Sequence, residues 1–242
     1  MNSLSPASHT HFDFSELSGR DKYKLITGTV IPRPIALVTT VDENGVVNAA
    51  PFSFFNALSG DPAIVAIGVE NNADMSFKDT GHNVRMTEQL TVNIVDQAMI
   101  DAMNICAVPF PSDVDELDIA GLTQVPGVHV NCPRILEAPA ALECRRHITL
   151  EVGKSREIIL GEVVGVFIRR DCVNPLNKHV DQQRMDAVGR LGGHDYSTIR
   201  DQFTLATMSV ADWESNKKNL DDSEEPEKPA GEQQKQDVPL SK

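Results

Sequence analysis

The sequence predicts a mainly β domain with short helices, its strands antiparallel and curled into a barrel. Strand-like runs recur at short spacing with few helical segments between them, the first two are joined by an Asn-Gly turn, and the last two are long extended segments around three turn residues. A doubly wound parallel sheet would alternate strands and helices regularly, and this chain does not.

The elements follow in order. Residues 34–41, PIALVTTV, are β-branched and apolar, and Asp42-Glu43-Asn44-Gly45 then turns the chain. Asn and Gly tolerate the positive φ of tight hairpins, so 46–53 returns as the second strand. Residues 63–69 and 90–95 read as two further strands. Between them 79–88 reads as a short helix opened by an Asp or Thr cap, and 97–106 reads as another. A turn-rich stretch, 107–133, leads to extended segments at 140–152 and 157–169, separated by Gly153-Lys154-Ser155. Residues 1–17 read as a flexible arm and 18–210 as one domain. Residues 211–242 read as a disordered acidic tail, since large apolar residues almost vanish after Trp213.

Composition narrows the function. The chain has 242 residues, 40% hydrophobic and 24% charged, which suffices for one core. A formal net charge of −13 and a pI near 4.9 argue against nucleic-acid phosphates or anionic lipid as partners. Cys106, Cys132, Cys144 and Cys172 form no CxxC pair, and the histidines are scattered, so no metal site is expected. No stretch approaches the roughly 20 apolar residues of a membrane helix. The first residues also lack a basic patch followed by an apolar run, so a soluble cytoplasmic protein is expected.

Common nucleotide and hydrolase motifs are missing. No GxGxxG follows a strand, and Gly189-Arg190-Leu191-Gly192-Gly193 has the wrong spacing, which argues against a Rossmann nicotinamide site. GxxxxGK[ST], HExxH and GxSxG are absent. Two segments carry more. Residues 76–83, SFKDTGHN, place a cation, a hydroxyl and backbone amides at a helix start, which suits either an anion site or an ordinary cap. Residues 49–56, AAPFSFFN, follow alanines with a proline that would interrupt a central strand, and hold three of the chain's nine phenylalanines. Such a bend suits a flat apolar ring with polar edges, or simply the core.

Here the motifs form a set. GTVIPRPIALVTT at 28–40, then NAAPFSFFNALSGDP and KDTGHN, resembles the flavin reductase-like family, which includes small components of two-component monooxygenases and flavoredoxin. Leu142-Glu143-Cys144, Leu160-Gly161-Glu162-Val163 and RLGGHDY at 190–196 fall in that family's order, so the resemblance spans 23–204. It implies a six-stranded antiparallel split barrel, a homodimer, and FMN held near the subunit interface. Carried onto this chain, it implies that Ser53, Lys78, Thr80 and Asn83 hold the phosphate while Phe54, Phe55 and Asn56 border the ring. Thr39 and Asp79 complete the cofactor-binding set. Arg33 and Arg190 either contact FMN, where a cation would stabilise the anionic reduced ring, or form structural salt bridges.

The implied activity is NAD(P)H:flavin reduction, with hydride passing from NADH or NADPH to FMN, no side chain acting as a catalyst, and a flavin-dependent monooxygenase as candidate partner. The alternatives are a tightly FMN-bound carrier of the flavoredoxin type and a flavin-binding module without turnover. One departure stands out. Relatives that use flavin as a diffusible substrate often carry a Gly-Asp-His turn where this chain has Gly153-Lys154-Ser155, so the histidine tied to nicotinamide handling is missing, with His147 nearby in sequence.

Overall fold

Ser18 opens the first helix, α1 (Gly19–Thr29): its hydroxyl accepts the Asp21 N–H and donates to the Asp21 carboxylate. The hydrophobic pattern does not announce this helix, because Thr27 is its buried residue and no apolar stripe marks its face. The computed structural model describes residues 8–223. These fall into two units, one through Asp201 and one from Gln202.

The predicted hairpin forms from β2 (Ala36–Val41) and β3 (Val47–Phe52), preceded by the short β1 (Arg33–Pro34). Asp42 accepts the Asn44 and Val46 N–H groups, and Gly45 sits at φ 86° to complete the turn. A second hairpin, β4 (Phe55–Gly60) and β5 (Ala63–Glu70), replaces the bend expected around 54–56. Next come α2 (Asp79–Thr87), β6 (Gln89–Ile94), a 3₁₀ turn at Gln97–Met99 leading into α3 (Ile100–Ile105), and α4 (Glu116–Ala120). Short β7 (Gln124–Val125) and β8 (Arg134–Ile135) precede the long hairpin of β9 (Ala140–Val152) and β10 (Arg156–Ile168). The unit closes with α5 (Gln182–Met185), β11 (Val188–Arg190) and β12 (Tyr196–Thr198).

The main sheet is antiparallel throughout, in the order β3-β2-β6-β9-β10-β5-β4. Its seven strands exceed the expected six because β4 adds a strand at one end. β2 runs buried on both faces, so consecutive Leu37 and Val38 feed two different core clusters. One centres on Leu37, Val95 and Leu117, the other on Val38, Ile67, Leu90 and Ile159. Pro51 does not break β3, because β3 is the sheet's other edge and an edge residue can lack an N–H.

In the second unit, residues expected to be disordered from 211 onward begin with a helix, α6 (Val210–Ser223). Ser209 explains it: the Asp212 N–H donates to the Ser209 hydroxyl, and the Asp212 carboxylate accepts the Ser209 N–H. The rest of the expected tail lies outside the described residues. Among those described, no helix is long and apolar enough to cross a membrane.

Candidate functional site

Two cavities lie on either side of Pro51 and Phe52 in β3. The larger, about 630 Å³, is walled by Tyr23, Arg33 and Ser53 on one side, Asp101 and Asn104 of α3 on another, and Arg190, His194 and Tyr196 of the β11–β12 hairpin on a third. The smaller, about 260 Å³, is lined by Asn48, Lys78, Asp79, Thr80 and Glu116 among others. Pro51, Phe52 and Ala107 belong to both linings, so an elongated ligand can lie across the two.

The smaller cavity has the chemistry of an anion site. The expected Asp or Thr cap on α2 is corrected: Lys78 holds the N-cap position and supplies no side-chain hydrogen bond to the helix. Asp79 falls inside the first turn, and the Thr80 hydroxyl accepts from the Asn48 amide at 3.1 Å. The helix therefore begins without a side-chain partner for its first N–H groups, beside an exposed lysine. Below it, α2 sits so close to β10 that a Cβ on Gly81 would lie 2.0 Å from Glu157 Oε1. The buried Glu157 is held by Arg85 at 2.7 Å, and the Arg85 guanidinium stacks 4.2 Å from the Phe77 ring centre, immediately before Lys78.

Glu116 opposes this positive character. It is 6% exposed, accepts the Ala49 N–H at 2.8 Å, and its carboxyl is held above the ordinary range mainly by burial. The Cys106 thiol in the same lining is pushed up to about 12, again mainly by burial, so it is not a thiolate nucleophile.

Arg33 anchors the larger cavity. It is 6% exposed, and its guanidinium donates to the carbonyls of Thr27 (2.6 Å), Val30 (2.8 Å) and Leu191 (2.9 Å) and to the Ser53 hydroxyl (3.4 Å). One side chain thus joins α1, the residue that follows β3 and the β11–β12 hairpin. Arg190 stacks on Tyr196 at 4.5 Å and donates to the Tyr196 hydroxyl and the Gly193 carbonyl. Among the described residues neither arginine forms an ion pair, so the salt-bridge alternative finds no support.

Of the residues expected at a flavin, Arg33, Ser53 and Arg190 line the larger cavity, and Lys78, Asp79 and Thr80 the smaller. The others line neither. Thr39 is fully buried, its hydroxyl bonded to the Pro133 carbonyl. Asn83 donates to Thr40 and borders a separate hollow of about 190 Å³. Strand alternation turns Phe55 into the core, while Phe54 covers Gly68 and meets Tyr23 edge-on at 6.2 Å. Asn56 is exposed and accepts its neighbour's N–H. His147 also lines neither cavity, pairing at 3.8 Å with Glu162. Sequence reasoning missed Tyr23, Asn48, Glu116 and the α3 wall. Asn48 adjoins the AAPFSFFN run, but Glu116 lies in a stretch that reads only as turns.

A model described as the flavin reductase like domain matches residues 27–185. The chain belongs to the flavin reductase-like family. An uncharacterized protein of Deinococcus radiodurans is 40% identical over 227 residues, covering 91% of this chain and all of its own. Among solved structures, nitrilotriacetate monooxygenase component B from Bacillus cereus superposes with a TM-score of 0.78 at 29% identity, covering 81% of this chain and 98% of its own. Pseudomonas fluorescens 2-nitrobenzoate 2-nitroreductase NbaA gives 0.77 at 35% identity, covering 83% and 98%. The fold is the split barrel of flavin reductases.

Proposed function

We propose that this member of the flavin reductase-like family is an NAD(P)H:FMN reductase that holds its flavin across both cavities. One observation carries the reading: an uncapped helix start beside Lys78 lines one cavity, and two guanidiniums without carboxylate partners line the cavity joined to it. The first suits a terminal phosphate and the second an electron-rich ring. The phosphate side is small, which favours FMN over FAD.

Lys78, Thr80 and the first-turn N–H groups of α2 would hold the phosphate, with Asp79 shaping that turn and Asn83 bracing it through Thr40. Ser53 would face the ring, placed by its bond from Arg33. Arg33 has its donors engaged by carbonyls, so it acts through its charge and by fixing the cavity floor. Bound there, FMN would supply hydride and single-electron chemistry, which asks the protein for position and electrostatics and for no covalent catalyst.

A homodimer and a cytoplasmic setting belong to this reading. Ile148, Leu150 and Val152 alternate on β9 as an exposed apolar row, the kind of surface a second copy covers. Four free buried thiols suit a reducing compartment. The likeness to a monooxygenase component B supports an oxygenase as the flavin's recipient.

The test is purification followed by anaerobic addition of NADH or NADPH. A yellow protein that bleaches, or a colourless one that reduces added FMN, supports the proposal. Failure to bind FMN refutes it. A second reading is favoured by the 35% identity to 2-nitrobenzoate 2-nitroreductase: the flavin stays bound and passes electrons to a small organic acceptor. Turnover of a nitroaromatic by the yellow protein, without loss of flavin, selects it.

A further inference from the structure

The larger cavity has more cationic character than a flavin ring requires, and the excess lies on its outer wall. Arg33 is already bound to three carbonyls on the floor. Arg190 projects from β11, clamped by stacking on Tyr196 and by donating to the Tyr196 hydroxyl and the Gly193 carbonyl. Those two bonds leave guanidinium N–H groups with no partner among the described residues. His194, three residues past Leu191 in the same hairpin turn after Gly193, is exposed and lines the same cavity. Asp101 faces this wall from α3 but forms no ion pair with either arginine. A chain of net charge −13 thus concentrates two guanidiniums at one cavity without neutralising them.

We propose that Arg190 and His194 form a carboxylate-recognition subsite that seats a small aromatic acid in the larger cavity, beside the flavin ring. The inference rests on the FMN reading for its neighbour but assigns these residues a ligand of their own. A stacked guanidinium offers parallel N–H donors that match a carboxylate in two-point contact, and its orientation is already fixed by Tyr196. Tyr23, Ile100 and Met103 give the apolar walls that a flat ring needs. The flavin phosphate does not compete for this wall, because the uncapped start of α2 lies in the other cavity, beyond Pro51 and Phe52.

The experiment is calorimetric titration of the full chain with benzoate and with the neutral benzamide, with and without FMN. Wild type, Arg190→Met, Arg190→Lys and His194→Asn are compared. The expected result is that Arg190→Met weakens benzoate by about tenfold or more, Arg190→Lys recovers part of it, and His194→Asn weakens it by about threefold. Benzamide should bind all four alike, and FMN binding should persist in Arg190→Lys, which keeps the charge beside the ring. Equal affinity for benzoate and benzamide in the wild type, or no benzoate binding with or without FMN, overturns the proposal. So does loss of FMN binding in Arg190→Met and Arg190→Lys together, which would make Arg190 a flavin contact. A preference for NADPH over NADH that disappears in Arg190→Met while benzoate is unaffected overturns it too, by assigning the wall to a dinucleotide phosphate. A wild type that binds no FMN sinks the cofactor reading instead, and the benzoate arms without FMN then decide the subsite by themselves.

Discussion

Replacing Arg33 by Met should unsettle the cavity before it affects any chemistry. The guanidinium is 6% exposed and satisfies the carbonyls of Thr27, Val30 and Leu191, with Ser53 as a fourth and longer contact. Hydrogen bonds from a charged donor contribute roughly 1.5–3 kcal/mol each, and carbonyls left buried without a donor cost about 1–3 kcal/mol. The three do not simply add, because the adjacent cavity lets water reach some of them. Two or three carbonyls stripped of their donor, with water rescuing part of the loss, give about 3–5 kcal/mol in all. For a chain of this size it corresponds to a fall in Tm of roughly 6–20 °C. Methionine keeps much of the side-chain volume, so the loss reports the hydrogen bonds more than a void. Thermal unfolding monitored by circular dichroism measures it, and riboflavin binding measured in parallel should weaken because the floor under the ring has moved. If Arg33→Met melts with the wild type yet loses flavin, the side chain is a direct flavin ligand and the clamp argument is wrong.

Lys78→Ala should weaken FMN by about tenfold to a hundredfold and leave riboflavin nearly unchanged, since only FMN carries the phosphate; equal loss for both ligands in a fluorescence titration would show that the α2 start holds no phosphate. Gly81→Ala should destabilise the chain by about 1–3 kcal/mol, because the new Cβ would meet the Glu157 carboxylate at 2.0 Å; an unchanged denaturant midpoint would mean that α2 lifts freely off β10. Glu116→Gln keeps an acceptor for the Ala49 N–H and removes a buried charge. The Glu116 pKa is raised in the folded chain, so the folded state holds more protons than the unfolded one between the ordinary and the raised value, and stability falls as pH rises through that window. The variant should therefore be more stable than wild type at neutral pH, with the gap closing on acidification, and should bind FMN about three- to tenfold more tightly; a pH-independent difference in Tm would contradict the assignment.

The strands were legible because each is a run of β-branched residues bounded by turn chemistry. The hairpin at Asn44-Gly45 and the extended segments around Gly153 appear with nearly the expected bounds. β4 was not, because Phe54 and Phe55 read equally well as ring cover, and what makes 55–60 a strand is its partner β5, not its own pattern. α1 and α6 escaped for a different reason. Their signal is a capping Ser with an Asp three residues on, while their faces carry no apolar stripe. The lining of the smaller cavity was legible in part because Lys78, Asp79 and Thr80 are contiguous in the chain. The lining of the larger one was only half legible: Arg33 and Arg190 lie far apart in sequence and are joined by β1–β11 pairing, which periodicity cannot reveal. Glu116, the residue that most constrains an anion here, is brought in by α4 packing against β3, a contact with no local sequence mark.

The edge position of β3 decides why both cavities open where they do. In an antiparallel strand, N–H and C=O of one residue point the same way and those of the next residue point the other. Ala49 donates outward to Glu116 instead of to β2, so Pro51, two residues on in the same strand, also presents its carbonyl outward, toward the cavities it lines. An ordinary residue at 51 would offer an outward N–H that could pair with an added strand. Proline removes that donor and leaves its carbonyl, so the edge resists strand addition while keeping an acceptor at 51 for a ligand. A ring edge that donates a hydrogen bond matches that acceptor. Pro51→Ala should consequently leave the hairpin register intact and change flavin affinity little, yet raise self-association above that of the wild type, which sedimentation at increasing concentration would detect. If Pro51→Ala sediments as the wild type does at every concentration, the proline serves local backbone shape and not protection of the edge.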